Sequence, residues 1–300
     1  MPDRPDTVCL LGFGEVGQAL ADGLACQAGL RLLAWDIKFA EPGSKPSVAV
    51  EYHDAVERAE SARAAAEPAD LVVSAVTAAE ARNAAESVLG SLRAGAWFVD
   101  LNSVSPGTRR TLAGLVDSAG GRYVEAAVMS PILPRGAASP MLLGGPHAAD
   151  LADAIEPLGF TAASVYSPEV GKASAAKMCR SVIVKGLEAL LTESMLAARR
   201  EGVEQTVLGT LGNIVEGPDW ERLARYMLCR SLEHAERRAD EMSEAAATVR
   251  EAGIEDWMSR ACEKRQRRAT EYSVDSLDAN LGDLLDGLLA AHYDRSARLD

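Results

Sequence analysis

The stretch "VCLLGFGEVGQAL", residues 8–20, contains the pattern from which most of the first domain follows. Its opening residues, 8–11, form a short apolar run that predicts a buried parallel strand. Residues 15–24 then carry apolar side chains at helical spacing and predict an α-helix. Glycines in the pattern G-x-G-x-x-G join the two, and this order of strand, glycines and helix is typical of a loop that cradles phosphate.

Each glycine of this loop meets a separate physical requirement. Gly12 allows the tight turn off the strand, Gly14 lets the backbone approach a pyrophosphate, and Gly17 lets the helix pack closely on the sheet. The helix N-terminus offers free N–H groups and the positive end of its dipole to the anion. We therefore predict a dinucleotide-binding site at this loop.

The second predicted strand, residues 31–35, ends at Asp36, which bears on the choice of cofactor. A carboxylate there accepts hydrogen bonds from the adenosine ribose and repels a 2′-phosphate, so Asp36 favours NAD. Lys38 lies two residues after Asp36. It is either the cation that an NADP site needs or a solvated loop residue, so NADP stays an alternative. The predicted cofactor-binding residues are Gly12, Phe13, Gly14, Glu15, Val16, Gly17, Asp36, Val76, Thr77 and Asn102.

Composition limits the partners that the protein can have. A net charge of −13 and a pI near 4.9 argue against nucleic acid and against anionic membrane surfaces. No stretch has the length and apolarity of a membrane span, and the polar start of the chain is unlike a signal peptide, so we expect a cytoplasmic protein. The five cysteines lack metal-binding spacing, and we predict reduced thiols and no metal site.

Strands and helices alternate along the first half of the chain. This alternation implies a parallel sheet with right-handed crossovers, and we predict an α/β fold whose N-terminal domain, residues 1–167, is a Rossmann-type doubly wound sheet. Within it, the Ala-rich segment 54–70 is expected to form a helix that stops at Pro68. Residues 168–300 show helical patterns only, and we predict an all-α C-terminal domain.

Ligands of such sheets bind outside the carboxyl ends of the strands, so the loops there are candidate sites. The loop "DLNSVSPGT", residues 100–108, is expected to present Asn102 and Ser103 to the cleft. Ser105, followed by proline at the first helical position, is expected to cap the next helix.

The segment "AAVMSPILPRG", residues 126–136, is the next loop at a strand end. It is unusually apolar and holds two prolines, so we predict that it forms a wall of the substrate site. Ser130 is its only hydroxyl, and Arg135 is a candidate contact for an anion.

The segment "VGKASAAKMCRSVIVKGLEALL", residues 170–191, predicts a strongly apolar helix that carries a polar stripe. Lys177, Arg180, Ser181 and Lys185 fall on one helical face. The stripe is either a solvent-exposed face or a functional group of side chains. Polar groups are costly to bury without partners, and the apolar neighbours of Lys177 favour the second interpretation.

The glycine loop, "DLNSVSP" and "GKASAAKMCR" together resemble the β-hydroxyacid dehydrogenase family, which includes hydroxyisobutyrate, tartronate-semialdehyde and 6-phosphogluconate dehydrogenases. The resemblance spans about residues 7–200, and the helical remainder is similar to a less characterised branch of 6-phosphogluconate-dehydrogenase-like proteins. It implies hydride transfer between NAD(P) and a small anionic hydroxy acid. Lys177 matches the family lysine that takes the proton from the substrate hydroxyl. The resemblance also implies a homodimer formed through the helical domain, with which the apolar segment 281–291 is compatible.

The chain departs from the family pattern at several site positions. Arg180 stands where the family has asparagine, and we expect it to favour the neutral form of Lys177 and to bind a substrate carboxylate or phosphate. Asn102 and Ser103 replace a serine and a threonine, and Met129, Ser130 and Pro131 replace Ser-Gly-Gly, so the substrate itself is not carried over. The candidate catalytic residues are Lys177, Asn102 and Arg180, and the candidate substrate-binding residues are Ser103, Met129, Ser130, Lys185, His234 and Arg238.

Two other functions are compatible with these motifs. An imine reductase shares this architecture but generally lacks the lysine, so Lys177 disfavours it. A nucleotide-binding regulatory protein would bind the cofactor without hydride transfer, and the altered residues at Asn102 and Arg180 favour that alternative. For His234 the simpler interpretation is a structural histidine.

Overall fold

The structure is a computed structural model that describes residues 4–211, 217, 219–272 and 280–299. The chain divides into two compact units, Met1–Met178 and Cys179–Asp300. The division falls inside a long helix rather than after residue 167, where the sequence pattern changes. The first turn of that helix is hydrogen-bonded to the sheet of the first unit.

An eight-stranded sheet forms the centre of the first unit. Its order is β3-β2-β1-β4-β5-β6-β7-β8, and among these neighbours only β6 and β7 pair antiparallel. The predicted doubly wound α/β fold is confirmed. The strands are β1 Thr7–Leu11, β2 Arg31–Trp35, β3 Val56–Arg58, β4 Leu71–Ser74, β5 Trp97–Asp100, β6 Arg122–Val128, β7 Met141–Gly144 and β8 Ala163–Ser167.

Helices pack on both faces of this sheet. Successive residues of β1 enter different cores: Val8 and Leu10 pack in one, and Cys9 and Leu11 in the other. Burial raises the pKa of Cys9 to about 12, so this thiol is inert. The helices are α1 Glu15–Leu24, α2 Lys45–Glu51, α3 Ala62–Ala66, α4 Ala81–Val88, α5 Pro106–Ser118, α6 Ala148–Ile155 and the start of α7 Lys172–Glu201.

The Ala-rich segment 54–70 is not the single helix that we expected. Its first part forms β3, in which Val56 pairs with Leu32 and is buried. Ser61 then begins the short helix α3 by accepting a hydrogen bond from the Ala64 N–H. Burial of one valine at the sheet edge and a side-chain cap outweigh the helix propensity of the alanines.

The described part of the second unit is helical, as predicted. It contains the rest of α7, followed by α8 Glu204–Leu211, α9 Trp220–Glu233, α10 Ala235–Glu251, α11 Trp257–Ala269 and α12 Leu281–Leu299. Leu284, Leu285 and Leu288 of α12 pack with Met195 and Leu228 in one core. The apolar face of residues 281–291 is therefore used inside the unit itself. Within the described residues, no helix combines the length and apolarity needed to cross a membrane.

Candidate functional site

The glycine loop after β1 has the geometry of a phosphate cradle. Gly12 has a φ of +101°, which favours glycine, and a Cβ there would lie 2.5 Å from the Ala75 carbonyl oxygen. A Cβ on Gly17 would lie 2.2 Å from the Gly12 oxygen. A Cβ on Gly14 would have no described atom within 4 Å. Packing therefore requires the outer two glycines, whereas the central one borders open space at the N-terminus of α1.

This difference predicts that one alanine substitution in the loop weakens cofactor binding and that another reduces stability. We expect Gly14→Ala to change the free energy of unfolding by less than about 0.5 kcal/mol. The same substitution should weaken cofactor binding at least about tenfold, because its methyl group occupies the space that a pyrophosphate needs. We expect Gly17→Ala to reduce stability by about 1–3 kcal/mol through overlap with Gly12. Urea unfolding and calorimetric titration with NAD and NADP measure both quantities, and wild-type cofactor affinity in Gly14→Ala would contradict the cradle.

Asp36 holds this loop against the end of β2. Its Oδ2 accepts a hydrogen bond from the Phe13 N–H at 2.7 Å, and its Oδ1 accepts one from the Lys38 N–H at 2.8 Å. Each carboxylate oxygen keeps a second acceptor position that suits a ribose hydroxyl. The Phe13 side chain is fully buried against Phe39, so Phe13 contributes to the loop through its backbone and its packing.

Asn102 is buried and joins the carboxyl ends of β4 and β5. Its Oδ1 accepts a hydrogen bond from the Val76 N–H at 2.7 Å, and its Nδ2 donates to Ser74 Oγ at 3.0 Å. We expected Asn102 to face the cleft, but its amide is bonded to the sheet edge. This amide sets the path of the loop that carries the exposed Thr77. A direct catalytic role for Asn102 stays a prediction.

The other predicted contacts at this edge lie on two loops. Ser105 is confirmed as the cap of α5, since its side chain accepts a hydrogen bond from the first turn. Ser103, Met129 and Ser130 are partly exposed. The Ser130 hydroxyl donates to the Pro131 carbonyl at 3.1 Å. Ser103 and Met129 thus lie at the carboxyl ends of β5 and β6, the edge at which ligands of such sheets bind.

A buried ionic network is bonded to Asn102. Arg109 on α5 is fully buried; its Nη1 lies 2.7 Å from Asp100 Oδ2 and donates to the Asp100 carbonyl at 2.6 Å. The Arg109 Nη2 donates to the Asn102 carbonyl. The Tyr123 hydroxyl donates to Asp100 Oδ2 at 2.8 Å.

The charged groups of this network are buried. Burial opposes the charge on Arg109, but Asp100 in particular raises the pKa of Arg109 above its usual value. Burial, and then Asp100, raise the pKa of Tyr123. Arg109 is therefore charged and Tyr123 neutral at physiological pH.

Glu125, on β6, extends this network to the start of α7. Its Oε1 accepts hydrogen bonds from the Gly171 N–H at 2.8 Å and the Ala173 N–H at 3.0 Å. Its Oε2 accepts one from the Ser174 N–H at 3.3 Å and lies 3.8 Å from Arg109 Nε. A carboxylate of the sheet thus caps the helix that carries Lys177.

The polar stripe predicted on α7 divides between the two units. Lys177 belongs to the first unit and is partly buried, whereas Arg180 is exposed. Ser181 and Lys185 are buried in the second unit, where Lys185 Nζ lies 2.7 Å from Glu241 Oε2 and donates to Ser181 Oγ at 3.3 Å. The interpretation of the stripe as a solvent face holds for Arg180 but not for Ser181 and Lys185.

Arg238 and His234 also have partners within the second unit. Arg238 forms an ion pair with Glu188, and burial raises the pKa of Glu188 despite this attraction. His234 Nε2 lies 2.7 Å from Arg230 Nη1. Burial, followed by the nearby Arg237 and Arg230, lowers the pKa of His234. The ring is therefore neutral at pH 7 and can accept a hydrogen bond from Arg230, which favours its structural interpretation.

The network of Asp100, Arg109, Tyr123 and Glu125 was not predicted from the sequence. One signal was available: Asp100 and Glu125 each stand in an otherwise largely apolar run, and a buried carboxylate needs a cation or hydrogen-bond donors. That signal states a requirement without naming the partner. The partners come from α5 and from the start of α7, and only the tertiary structure brings them together.

In the part of the chain that the structure describes, no three His, Cys, Asp or Glu side chains are grouped to hold a metal ion. All five cysteines are free thiols.

Comparison with known proteins agrees with this geometry. Residues 7–157 match the family model described as the NAD binding domain of 6-phosphogluconate dehydrogenase. The chain belongs to this family. Residues 198–269 also match a family model described as a domain of unknown function, DUF1932.

Several known proteins are similar to this chain in sequence or in structure. The human mitochondrial 3-hydroxyisobutyrate dehydrogenase is 26% identical over 219 residues, which cover 71% of this chain and 63% of that enzyme. The crystal structure of a conserved hypothetical protein from Sinorhizobium meliloti 1021 is 33% identical and covers 97% of each chain with a TM-score of 0.73.

A conserved protein of unknown function, described as structurally similar to 3-hydroxyacid dehydrogenases, is 29% identical. It covers 88% of this chain and 97% of its own, with a TM-score of 0.64. The resemblance drawn from the sequence motifs is thus confirmed, and the matched N-terminal domain is one described as NAD-binding.

Proposed function

We propose that this protein transfers hydride between NAD(P) and a small anionic hydroxy acid, with Lys177 as the general acid/base. The observation that best supports the proposal is the glycine loop. Its backbone is tightly packed at Gly12 and Gly17, and it borders open space at Gly14. It occurs in a chain that is similar to a 3-hydroxyisobutyrate dehydrogenase. The nicotinamide supplies the hydride acceptor or donor when it is bound.

The residues present fit a dinucleotide. The first turn of α1, with Glu15 and Val16, would hold the pyrophosphate through backbone N–H groups, and Gly14 leaves the space for it. Asp36 would accept hydrogen bonds from the adenosine ribose, which supports NAD as the preferred cofactor. The exposed Lys38 lies two residues after Asp36 and supports NADP as the alternative.

Lys177 would move the proton of the reaction. In oxidation its neutral amine takes the proton of the substrate hydroxyl, and in reduction its ammonium returns the proton. Support comes from its place on α7, the helix whose first turn is bonded to the sheet through Glu125.

The substrate contacts are proposed at two levels. Ser103, Met129 and Ser130 are partly exposed on loops at the carboxyl edge of the sheet, which supports them as direct contacts. Lys185 and Arg238 already pair with carboxylates, so they would bind a substrate anion only by exchanging those partners.

A hydride-transfer screen tests the proposed function. Nicotinamide absorbance is followed with NAD and with NADP against phosphorylated and unphosphorylated 3-hydroxy acids. Turnover on one of these acids is the expected result, and the ratio of the two rates gives the cofactor preference. Tight cofactor binding without turnover on any acid would contradict the proposal and favour imine reduction or a regulatory role.

We also propose that the protein is a cytoplasmic homodimer joined through its helical unit, without nucleic-acid or membrane partners. Ile183 and Leu190, seven residues apart on α7, are 74% and 57% exposed and form an apolar strip. A second copy would bury this strip. Light scattering on the purified protein tests the dimer, and a mass of 31.7 kDa would contradict it.

A further inference from the structure

Glu125 is a charged residue inside a buried strand, and its contacts are unusual. Its carboxylate is fully buried and accepts three backbone hydrogen bonds, from Gly171, Ala173 and Ser174. The first N–H groups of a helix have no partner within the helix, and the positive end of its dipole favours a negative charge. Glu125 lies at least 46 residues earlier in the chain, so it is a tertiary cap of α7 rather than a local one.

Two glycines lie beside this cap. Gly144 of β7 stands opposite Glu125 in the antiparallel pair, and a Cβ there would lie 2.3 Å from the Glu125 Oε1. Gly171 has a φ of +101°, and a Cβ there would lie 2.9 Å from Arg110 Nη1 and 3.1 Å from the Pro106 Cβ. The sheet register at Gly144 thus leaves space for the carboxylate, and Gly171 lets the turn before α7 pass close to α5.

Arg109 connects this cap to the loop after β5. Its Nε lies 3.8 Å from Glu125, and its Nη2 donates to the carbonyl of Asn102. One guanidinium therefore joins the start of α7 to a residue at the candidate cofactor edge.

The charges of the network also fit this arrangement. Asp100 and Glu125 are two buried carboxylates, and Arg109 supplies one positive charge. The positive end of the α7 dipole offsets part of the remaining charge. Glu125 is thus stabilised by the helix that it holds.

We infer that Glu125 is a positioning residue, whose carboxylate holds the first turn of α7 on the sheet and thereby fixes where the chain presents Lys177. Lys177 lies one helical turn beyond Ala173, whose N–H is bonded to Glu125. The inference rests on the proposed function of Lys177. A shift of about 1 Å in a reacting group can lower a rate about a hundredfold, so an anchored helix start matters for proton transfer.

Glu125→Gln tests the inference, because glutamine has the same shape but loses the charge and one acceptor oxygen. Hydrogen exchange at the amides of residues 171–176 should become faster, while exchange over residues 12–17 stays unchanged. The kcat should fall about ten- to a hundredfold, with the KM for the cofactor within about twofold of wild type. The acid limb of the pH–rate profile should also move, because a shifted helix start changes the groups that surround the Lys177 amine.

Asp70→Asn is the matched control. Asp70 also accepts two backbone hydrogen bonds, from Asp6 at 3.1 Å and Thr7 at 3.0 Å, and pairs with Arg93, but it lies before β4 at the amino edge of the sheet. This variant should leave exchange over residues 171–176, the kcat and the pH profile as in wild type.

A second variant displaces the carboxylate without removing its charge. Gly144→Ala places a methyl group against the Glu125 side chain and should give the same changes as Glu125→Gln. It decides the question if Glu125→Gln fails to fold.

Three outcomes separate the inference from the proposed function. Unchanged exchange over residues 171–176 would overturn the cap. Faster exchange with unchanged kcat and an unchanged acid limb would overturn the positioning role. A kcat of Lys177→Met within tenfold of wild type would refute Lys177 as the general acid/base and with it the positioning role, while the exchange data would still report on the cap.

Discussion

Lys177→Met is expected to lower the kcat by about a thousandfold, within the range that general acid–base catalysis provides. Methionine is similar in length to the lysine stem but cannot exchange a proton with the substrate hydroxyl. The cofactor dissociation constant should stay within about twofold of wild type, because the proposed dinucleotide contacts lie on α1 and at Asp36. Steady-state nicotinamide absorbance and calorimetric titration measure the two quantities. A kcat within tenfold of wild type would refute Lys177 as the general acid/base.

Arg180→Asn provides the comparison on the same helix. Arg180 is exposed one turn beyond Lys177. The β-hydroxyacid dehydrogenase family, which the sequence resembles, has asparagine at this position. Removing this cation makes protonation of Lys177 less unfavourable. The acid limb of the pH–rate profile should then move to higher pH while turnover is retained, and an unchanged limb would show that Arg180 does not act on Lys177.

Arg109→Met should have the largest effect on stability. Arg109 is fully buried, and its loss leaves the buried carboxylates of Asp100 and Glu125 without their cation. Removing one partner of a buried ion pair costs about 3–5 kcal/mol, because the remaining charge is neither hydrated nor paired. Urea unfolding followed by circular dichroism measures the loss.

Arg93→Met is the matched control for that measurement. Arg93 also pairs with an aspartate, Asp70, at 2.5 Å, but its side chain is 56% exposed. An exposed pair contributes about 0–1 kcal/mol, so this variant should unfold close to wild type. Equal losses in Arg109→Met and Arg93→Met would show that the buried network does not stabilise the first unit. Arg109→Lys should lie between them, since lysine keeps the charge but not the planar fork.

The proposed site joins two kinds of structure. The glycine loop takes its shape from residues that are close in sequence, such as Gly12 and Gly17. The start of α7 takes its position from Glu125 and Arg109, which belong to other elements. The dinucleotide loop could therefore be predicted from the chain alone, and the cap of α7 could not.

The same contrast explains the one element that was predicted wrongly. Alanines over residues 54–70 favour a helix when only local propensity is considered. Pairing of β3 with β2 at the sheet edge, with Val56 beside Leu32, depends on a partner strand that lies more than twenty residues earlier. Propensity is a weak preference, and this pairing outweighs it.

The site residues divide in the same way. Asp36 and the cap at Ser105 followed from short-range patterns. The structure confirms the cap, and it shows the Asp36 carboxylate bonded to the backbone of the glycine loop, while its contact with a ribose stays a prediction. Asn102 was found from its position after a strand, but the direction of its amide depends on Ser74 at the end of β4 and on Val76 in the loop that follows. The pattern of α7 identified a polar stripe, while the carboxylate that pairs with Lys185 comes from α10.

Local patterns in the chain thus specified the doubly wound sheet and the cofactor loop, since strand and helix periodicities and glycine geometry act over a few residues. The resemblance to the β-hydroxyacid dehydrogenase family singled out Lys177 as the residue to test. The partners of the buried charges were set by the tertiary structure alone. A buried carboxylate such as Glu125 requires donors, but any segment that the fold brings within hydrogen-bond distance can supply them. Here the fold brings the first turn of α7, and this contact determines where the helix with Lys177 begins.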